Sequence, residues 1–111
     1  MKISVKNKRL LGKLLKDQRT KDNQSLRGLA FACEMSYGTL NDIENGNGFP
    51  TDEVLLRIVE NLNFGDKTQV YDTYAEIKGT APPDVISYLS KNKSAVELIR
   101  KMMKESKGYQ I

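Results

Sequence analysis

Apolar residues recur three and four apart along most of the chain, and no stretch sustains an alternation of apolar and polar positions. That pattern predicts an all-α protein. Leu10, Leu11, Leu14 and Leu15 form the first stripe, with Lys13, Lys16, Asp17 and Arg19 on the other sides, and the polar run 20–24 ends this helix. Ser25 and Ser36 belong to the residue types that open helices, because their hydroxyls accept a hydrogen bond from an otherwise free N–H. They predict two short helices, one to about Cys33 and the next to about Asn45. The run Asn45-Gly46-Asn47-Gly48-Phe49-Pro50 is a strong breaker. Thr51 then caps a fourth helix, with Asp52 and Glu53 in the first turn where the helix dipole favours anions. Its apolar stripe is Val54, Leu55, Ile58, Val59 and Leu62.

Asn63-Phe64-Gly65 closes that helix, and Asp66 with Gln69 has the spacing of a capping box for a fifth, bearing Val70, Tyr74 and Ile77. Residues 79–83 mark a boundary, dividing the chain into 1–79 and an extension, 80–111. In the extension, Val85, Ile86 and Leu89 predict a short helix. Ser94 with Glu97 predicts the capping box of a last one, carrying Val96, Ile99 and Met103.

Composition narrows the function classes. A chain of 111 residues suits one domain and buries roughly two-thirds of its unfolded surface without staples. With no His and a single Cys, it has no His-based nucleophile pair, His metal site, disulfide or zinc knuckle. The carboxylate neighbours Asp52 and Glu53, or Asp42 and Glu44, come without a Gly-rich phosphate loop or other sign of a converging pocket, and read as caps and surface. We therefore expect no enzyme, no cofactor and no metal. A lone thiol suits a reducing, cytoplasmic setting. Apolar runs of five or six residues are too short to span a membrane, and Gly12 and Lys13 interrupt what would be a signal core.

Charge is uneven. Residues 1–24 hold eight basic and two acidic side chains, residues 25–90 four and ten, and residues 91–111 six and two. Basic ends around an acidic middle attract polyanions or simply solvate helix faces.

Two short helices joined by about three residues are the parts of a helix-turn-helix. Counted from Leu26 as position one, that motif needs apolar residues at four, eight, ten, fifteen and eighteen, and a small one at five. The chain has Leu29, Cys33, Met35, Leu40 and Ile43, with Ala30 as the small residue where the helices cross. Together with Leu11-Gly12-Lys13-Leu14-Leu15 and Arg19, Ser25-Leu26-Arg27-Gly28-Leu29-Ala30, Leu40-Asn41-Asp42-Ile43-Glu44-Asn45-Gly46 and Pro50, this resembles the lambda-repressor-like (Cro type, Xre-like) helix-turn-helix proteins of bacteria and phages. The resemblance spans residues 8–78.

The resemblance implies a five-helix DNA-binding bundle with a short helical C-terminal extension. It also implies a transcriptional regulator of bacterial or prophage origin, a repressor more often than an activator, acting as a homodimer on a double-stranded DNA operator. Its third helix would enter the major groove while the second lies across the backbone. Carried over by position, Tyr37, Gly38, Thr39 and Asp42 face base edges; Thr39 can donate or accept, and Asp42 can accept from a cytosine amine. The start of the second helix, at Ser25 and Leu26, presents free N–H groups to a phosphate. Asn41, Asn45 and Asn47 are further phosphate partners, with charge from Lys6, Lys8, Arg9 and Lys21. Arg19 and Glu44 would form an ion pair tying the first helix to the third.

The chain departs from the family at three places. Leu26 stands where relatives often have a phosphate-binding Gln, Glu34 at a turn position often held by Gly, and the loop after the third helix lacks a Lys or Arg. Elsewhere Cys33, Tyr71 and Tyr74 read as core, Met102 and Met103 as packing, and the Lys-rich tail 100–107 as a solvated face. A second class stays open beside DNA binding: a protein-interaction module of the same fold, such as an antitoxin or anti-repressor, with a partner docked on residues 81–111.

Overall fold

The computed structural model describes residues 5–106, with side chains for residues 7–106. These residues form seven α-helices and no strand: α1 (Val5–Lys21), α2 (Leu26–Ala32), α3 (Tyr37–Asn45), α4 (Asp52–Glu60), α5 (Lys67–Lys78), α6 (Pro83–Lys91) and α7 (Lys93–Glu105). The all-α prediction is met. Helices α6 and α7, of 9 and 13 residues, fall in the extension, where the sequence predicts two helices.

Local chemistry sets the helix starts. The hydroxyls of Ser25, Ser36 and Thr51 accept from the backbone N–H groups of Gly28, Thr39 and Val54, and the Asp66 carboxylate accepts from Thr68. Gly46 and Gly79 close α3 and α5 in left-handed conformations, at φ of 79° and 78°, where a side chain would be strained. The last helix differs from its prediction. Ser94 is not its cap, because α7 begins at Lys93, one residue after α6 ends. The intervening Asn92 turns its amide back, donating to the Tyr88 carbonyl at 2.8 Å, so it serves the end of α6 instead.

The core lies among α1–α5. Leu11 and Leu15, Leu29 and Ala30, Leu40 and Ile43, Leu55, Ile58 and Val59, and Val70, Tyr71 and Tyr74 are all buried there, with Cys33 and Leu62 from the connections. Helix α1 packs on α3 and α5, and α2 packs on α3. Four leucines on α1 exceed the width of one buried face, so Leu10 is left 54% exposed. Gly12 is required by the packing: a Cβ there would overlap the carbonyl oxygens of Ile43 and Glu44, so only glycine lets α1 and α3 approach this closely.

Polar struts fix the connections. Gln18 donates to the Asn63 carbonyl, Gln24 to that of Asn61, and Asp22 accepts from the Asn63 N–H. Beyond α5, Pro83 is buried and α6 packs on α4 and α5. Helix α7 packs on α6, and no residue of α7 is buried. The principal extents of 49 × 28 × 22 Å reflect this projecting end.

Candidate nucleic-acid interface

Helices α2 and α3 are joined by four residues, 33–36. The turn is tight because α2 ends in bonds from Cys33 to the Leu29 carbonyl, Glu34 to Phe31 and Met35 to Ala30. Glu34 takes a φ of 55°, the left-handed region that its Cβ disfavours by about 1 kcal/mol. The chain tolerates that strain to aim α3 away from α2. Ala30, 3% exposed, sits inside this elbow, and Met35 packs partly buried against the core.

The outer side of α3 is open. Tyr37 is 45% exposed, and Gly38, Thr39 and Asp42 are exposed as well, so no described residue of the extension or the loops covers them. Ser36 Oγ donates to Thr39 Oγ1 at 2.7 Å, which uses the threonine oxygen as an acceptor and leaves its proton free for an outside partner. A Cβ added at Gly38 would meet nothing within 4 Å. Nothing inside the chain therefore requires glycine there, although glycine costs a helix roughly 0.5–1 kcal/mol relative to alanine. Beside this surface, a cleft of about 230 Å³ runs between α3 and the start of α4, lined by Thr39, Asp42, Gly48, Phe49, Pro50 and Val54 among others.

Two networks hold α3 and the loop after it. The Arg19 guanidinium donates to Glu44 twice, Nε to Oε2 at 2.8 Å and Nη2 to Oε1 at 3.0 Å, and Nη1 donates to the Gln24 carbonyl at 2.9 Å. The Glu44 side chain is 3% exposed and that of Arg19 is 13%. Hydrogen bonding to Glu44 holds Arg19 above its ordinary pKa despite partial burial. This fork fastens α1 to α3.

The second network ties the loop to α5. Tyr74 is fully buried, stacks on Phe49 with ring centroids 4.9 Å apart, and places its hydroxyl 2.7 Å from Asp52 Oδ1 and 2.9 Å from the Pro50 carbonyl. Lys78 donates to the same Asp52 oxygen at 2.8 Å. Burial, then the hydrogen bond to Asp52, pushes the phenol up to about 12. Hydrogen bonds from Lys78 and Tyr74 hold the Asp52 carboxyl below its usual range.

The residues assigned to phosphate contact are spread around this elbow. Ser25 is exposed, but its hydroxyl is engaged with the Gly28 N–H at 3.0 Å. Leu26 packs its side chain against the core, so only its backbone is available at the start of α2. Asn45 is exposed and donates to Asn41 at 3.2 Å, while Asn47 is exposed in the loop. Arg9 is exposed and its stem lies against Gly46 at the end of α3, with Lys8 half-buried next to it. Lys21, also exposed, ends α1, some 20 Å of helix away from Arg9 by the rise per residue. The structure thus brings Arg9 to the end of α3, with Lys21 exposed at the opposite end of α1. The Lys6 side chain lies outside the described residues.

Helix α3 itself carries no cation. The one base on α2, Arg27, holds its guanidinium 4.7 Å above the Tyr37 ring, so an exposed cation and an exposed aromatic ring form one unit. Sequence reasoning assigned no role to Phe31, which stands 87% exposed on α2. Its spacing of four from Arg27 places them on one face, a signal present in the sequence and easily read as helix stripe. No protein-family model matches the chain, and no curated protein or solved structure does so either.

Proposed function

We propose that residues 1–79 form a lambda-repressor-like helix-turn-helix module and that the chain is a sequence-specific DNA-binding regulator of transcription, acting as a repressor by occupying a promoter. The observation that carries this reading is the open face of α3. Tyr37, Gly38, Thr39 and Asp42 are all exposed on a short helix that the Arg19–Glu44 fork anchors to α1. Gly38 supports it independently, since its missing side chain has no use inside the fold and suits close approach of a duplex. Tyr37, Thr39 and Asp42 read base edges, the Arg27–Tyr37 pair meets the rim of the groove, and Lys8, Arg9 and Lys21 neutralise phosphates.

Fluorescence anisotropy against DNA from the chain's own upstream region, at several salt concentrations, tests the reading. The expected result is a steep loss of affinity with salt and a preference over random duplex. Thr39→Ala should lower that preference by about 1–3 kcal/mol while leaving random-sequence binding in place. Equal losses on both duplexes would remove Thr39 from base readout.

A second reading has its own support. With no cation on α3 and Arg27 engaged by Tyr37, the elbow also suits a protein surface, as in an antitoxin or anti-repressor of the same fold. A flat salt response with no preference among duplexes would favour it.

A further inference from the structure

Among the described residues, six of the nine large apolar side chains that the fold leaves exposed belong to α6 and α7: Val85, Ile86 and Tyr88 on one helix, Leu98, Ile99 and Met102 on the other. Their exposures run from 39% to 60%. On α7 the half-buried Ala95, Val96 and Met103 are one side of a broad apolar stripe, and the bare Leu98, Ile99 and Met102 are the other. The two helices pack on each other, so the exposed residues belong to one continuous hairpin. A 13-residue helix with nothing buried is marginal in water, because most helical stability comes from covering an apolar face. The face of α7 therefore calls for cover that the described residues do not supply.

We propose that a second copy of this chain covers it, making the α6–α7 hairpin the homodimer interface. Area is the first argument. Six side chains of this size, about half exposed, offer on the order of 500 Å² of apolar surface. Two copies together then reach roughly 1,000 Å², the lower bound for a specific interface, to which a polar rim adds. An apolar patch is also self-complementary, as a two-fold interface must be.

Charge is the second. The outer side of α7 carries Lys93, Arg100, Lys101 and Lys104 against Glu97 and Glu105, whereas residues 25–90 hold ten acidic and four basic side chains. That acidic body opposes docking of the hairpin on an anionic lipid surface. Elimination is the third. Helix α5 keeps Tyr71 and Tyr74 inside its own core and presents Asp72 and Glu76 outward, so it offers no comparable apolar face. The inference deepens the proposed function by placing the symmetry axis at the far end of the chain from α3's anchoring helix, yet it depends on no DNA contact.

Sedimentation equilibrium without DNA, from roughly 1 to 100 µM, reads the outcome directly. The chain should weigh twice its 12.5 kDa. Leu98→Gln with Met102→Gln keeps helix propensity and removes two exposed anchors, and should weaken the dimer by roughly 100-fold. Should that pair unwind α7, Val85→Gln with Tyr88→Gln on α6 repeats the test from the other helix. Phe31→Gln, as exposed but on α2, should retain the dimer. A wild-type chain at 12.5 kDa throughout overturns the proposal, including one that instead binds anionic vesicles or a different protein. So does a dimer indifferent to both pairs, or one broken equally by Phe31→Gln. Loss of operator binding with the dimer intact would count against the DNA reading alone.

Discussion

Helices α1 and α7 both carry apolar residues at helical spacing, and their fates diverge. Leu11 and Leu15 of α1 are 1% and 0% exposed, while Leu98 and Met102 of α7 are each 60% exposed. The difference is not in the pattern, which is as regular on α7 as on α1. It lies in what is opposite: α1 has α3 and α5 to lie against, and α7, among the described residues, packs mainly on α6 and buries no residue. Apolar periodicity announces a face that needs covering without saying whether the cover comes from the same chain. The bundle α1–α5 is closed around a shared core, and the α6–α7 hairpin is open.

The largest expected effect tests the closure of the bundle. Glu44→Ala leaves the Arg19 guanidinium largely buried without its carboxylate, and should cost roughly 3–5 kcal/mol in urea unfolding. A midpoint that barely moves would mean that the fork does not hold α1 to α3. Next comes the Tyr74 network. The phenol in the fold keeps its proton to about 12, while the unfolded chain releases it near its ordinary value of 10. Tyr74 stabilisation is therefore complete below pH 10 and declines as pH rises towards 12, by roughly 2–3 kcal/mol. Tyr74→Phe should remove this alkaline decline, which thermal melts at stepped pH would record. At the acid end, the lowered Asp52 carboxyl gives stability that is present above its unfolded range and is lost as pH falls through its folded value.

A smaller effect has the opposite sign. Glu34→Gly should raise stability by about 1 kcal/mol, because glycine takes the left-handed turn without strain. The smallest belongs to the hairpin. At dilutions where the chain is monomeric, Leu98→Gln with Met102→Gln should change the bundle's unfolding by less than about 0.5 kcal/mol, since neither side chain is buried in it. A loss as large as that of Glu44→Ala would erase the distinction between the two regions.

Much of the interface was legible as residue types at fixed offsets. Ser25, Ser36 and Thr51 mark helix starts through their own hydroxyls, and Ala30 with the five apolar positions around it marks the elbow. The environment of Asp52 was not legible. It sits where an anion suits the start of a helix, but its partners Tyr74 and Lys78 lie 22 and 26 residues away. Nor was Met102, expected to pack and found exposed. Leu10 likewise carries the same periodic signal as Leu11 and remains in solvent.

By itself, the order of residues determined that this chain is helical, where its first five helices begin, and that no histidine chemistry operates in it. These are local matters: a hydroxyl three residues from a free N–H, a glycine or proline that breaks a run, the absence of an element's ligands. Only the tertiary structure decided which apolar faces meet, that Gly12 admits α3, that Arg27 rests on Tyr37, and that α7 is left uncovered. Those depend on distances between residues far apart in sequence, and burial is a property of the pair of surfaces that meet.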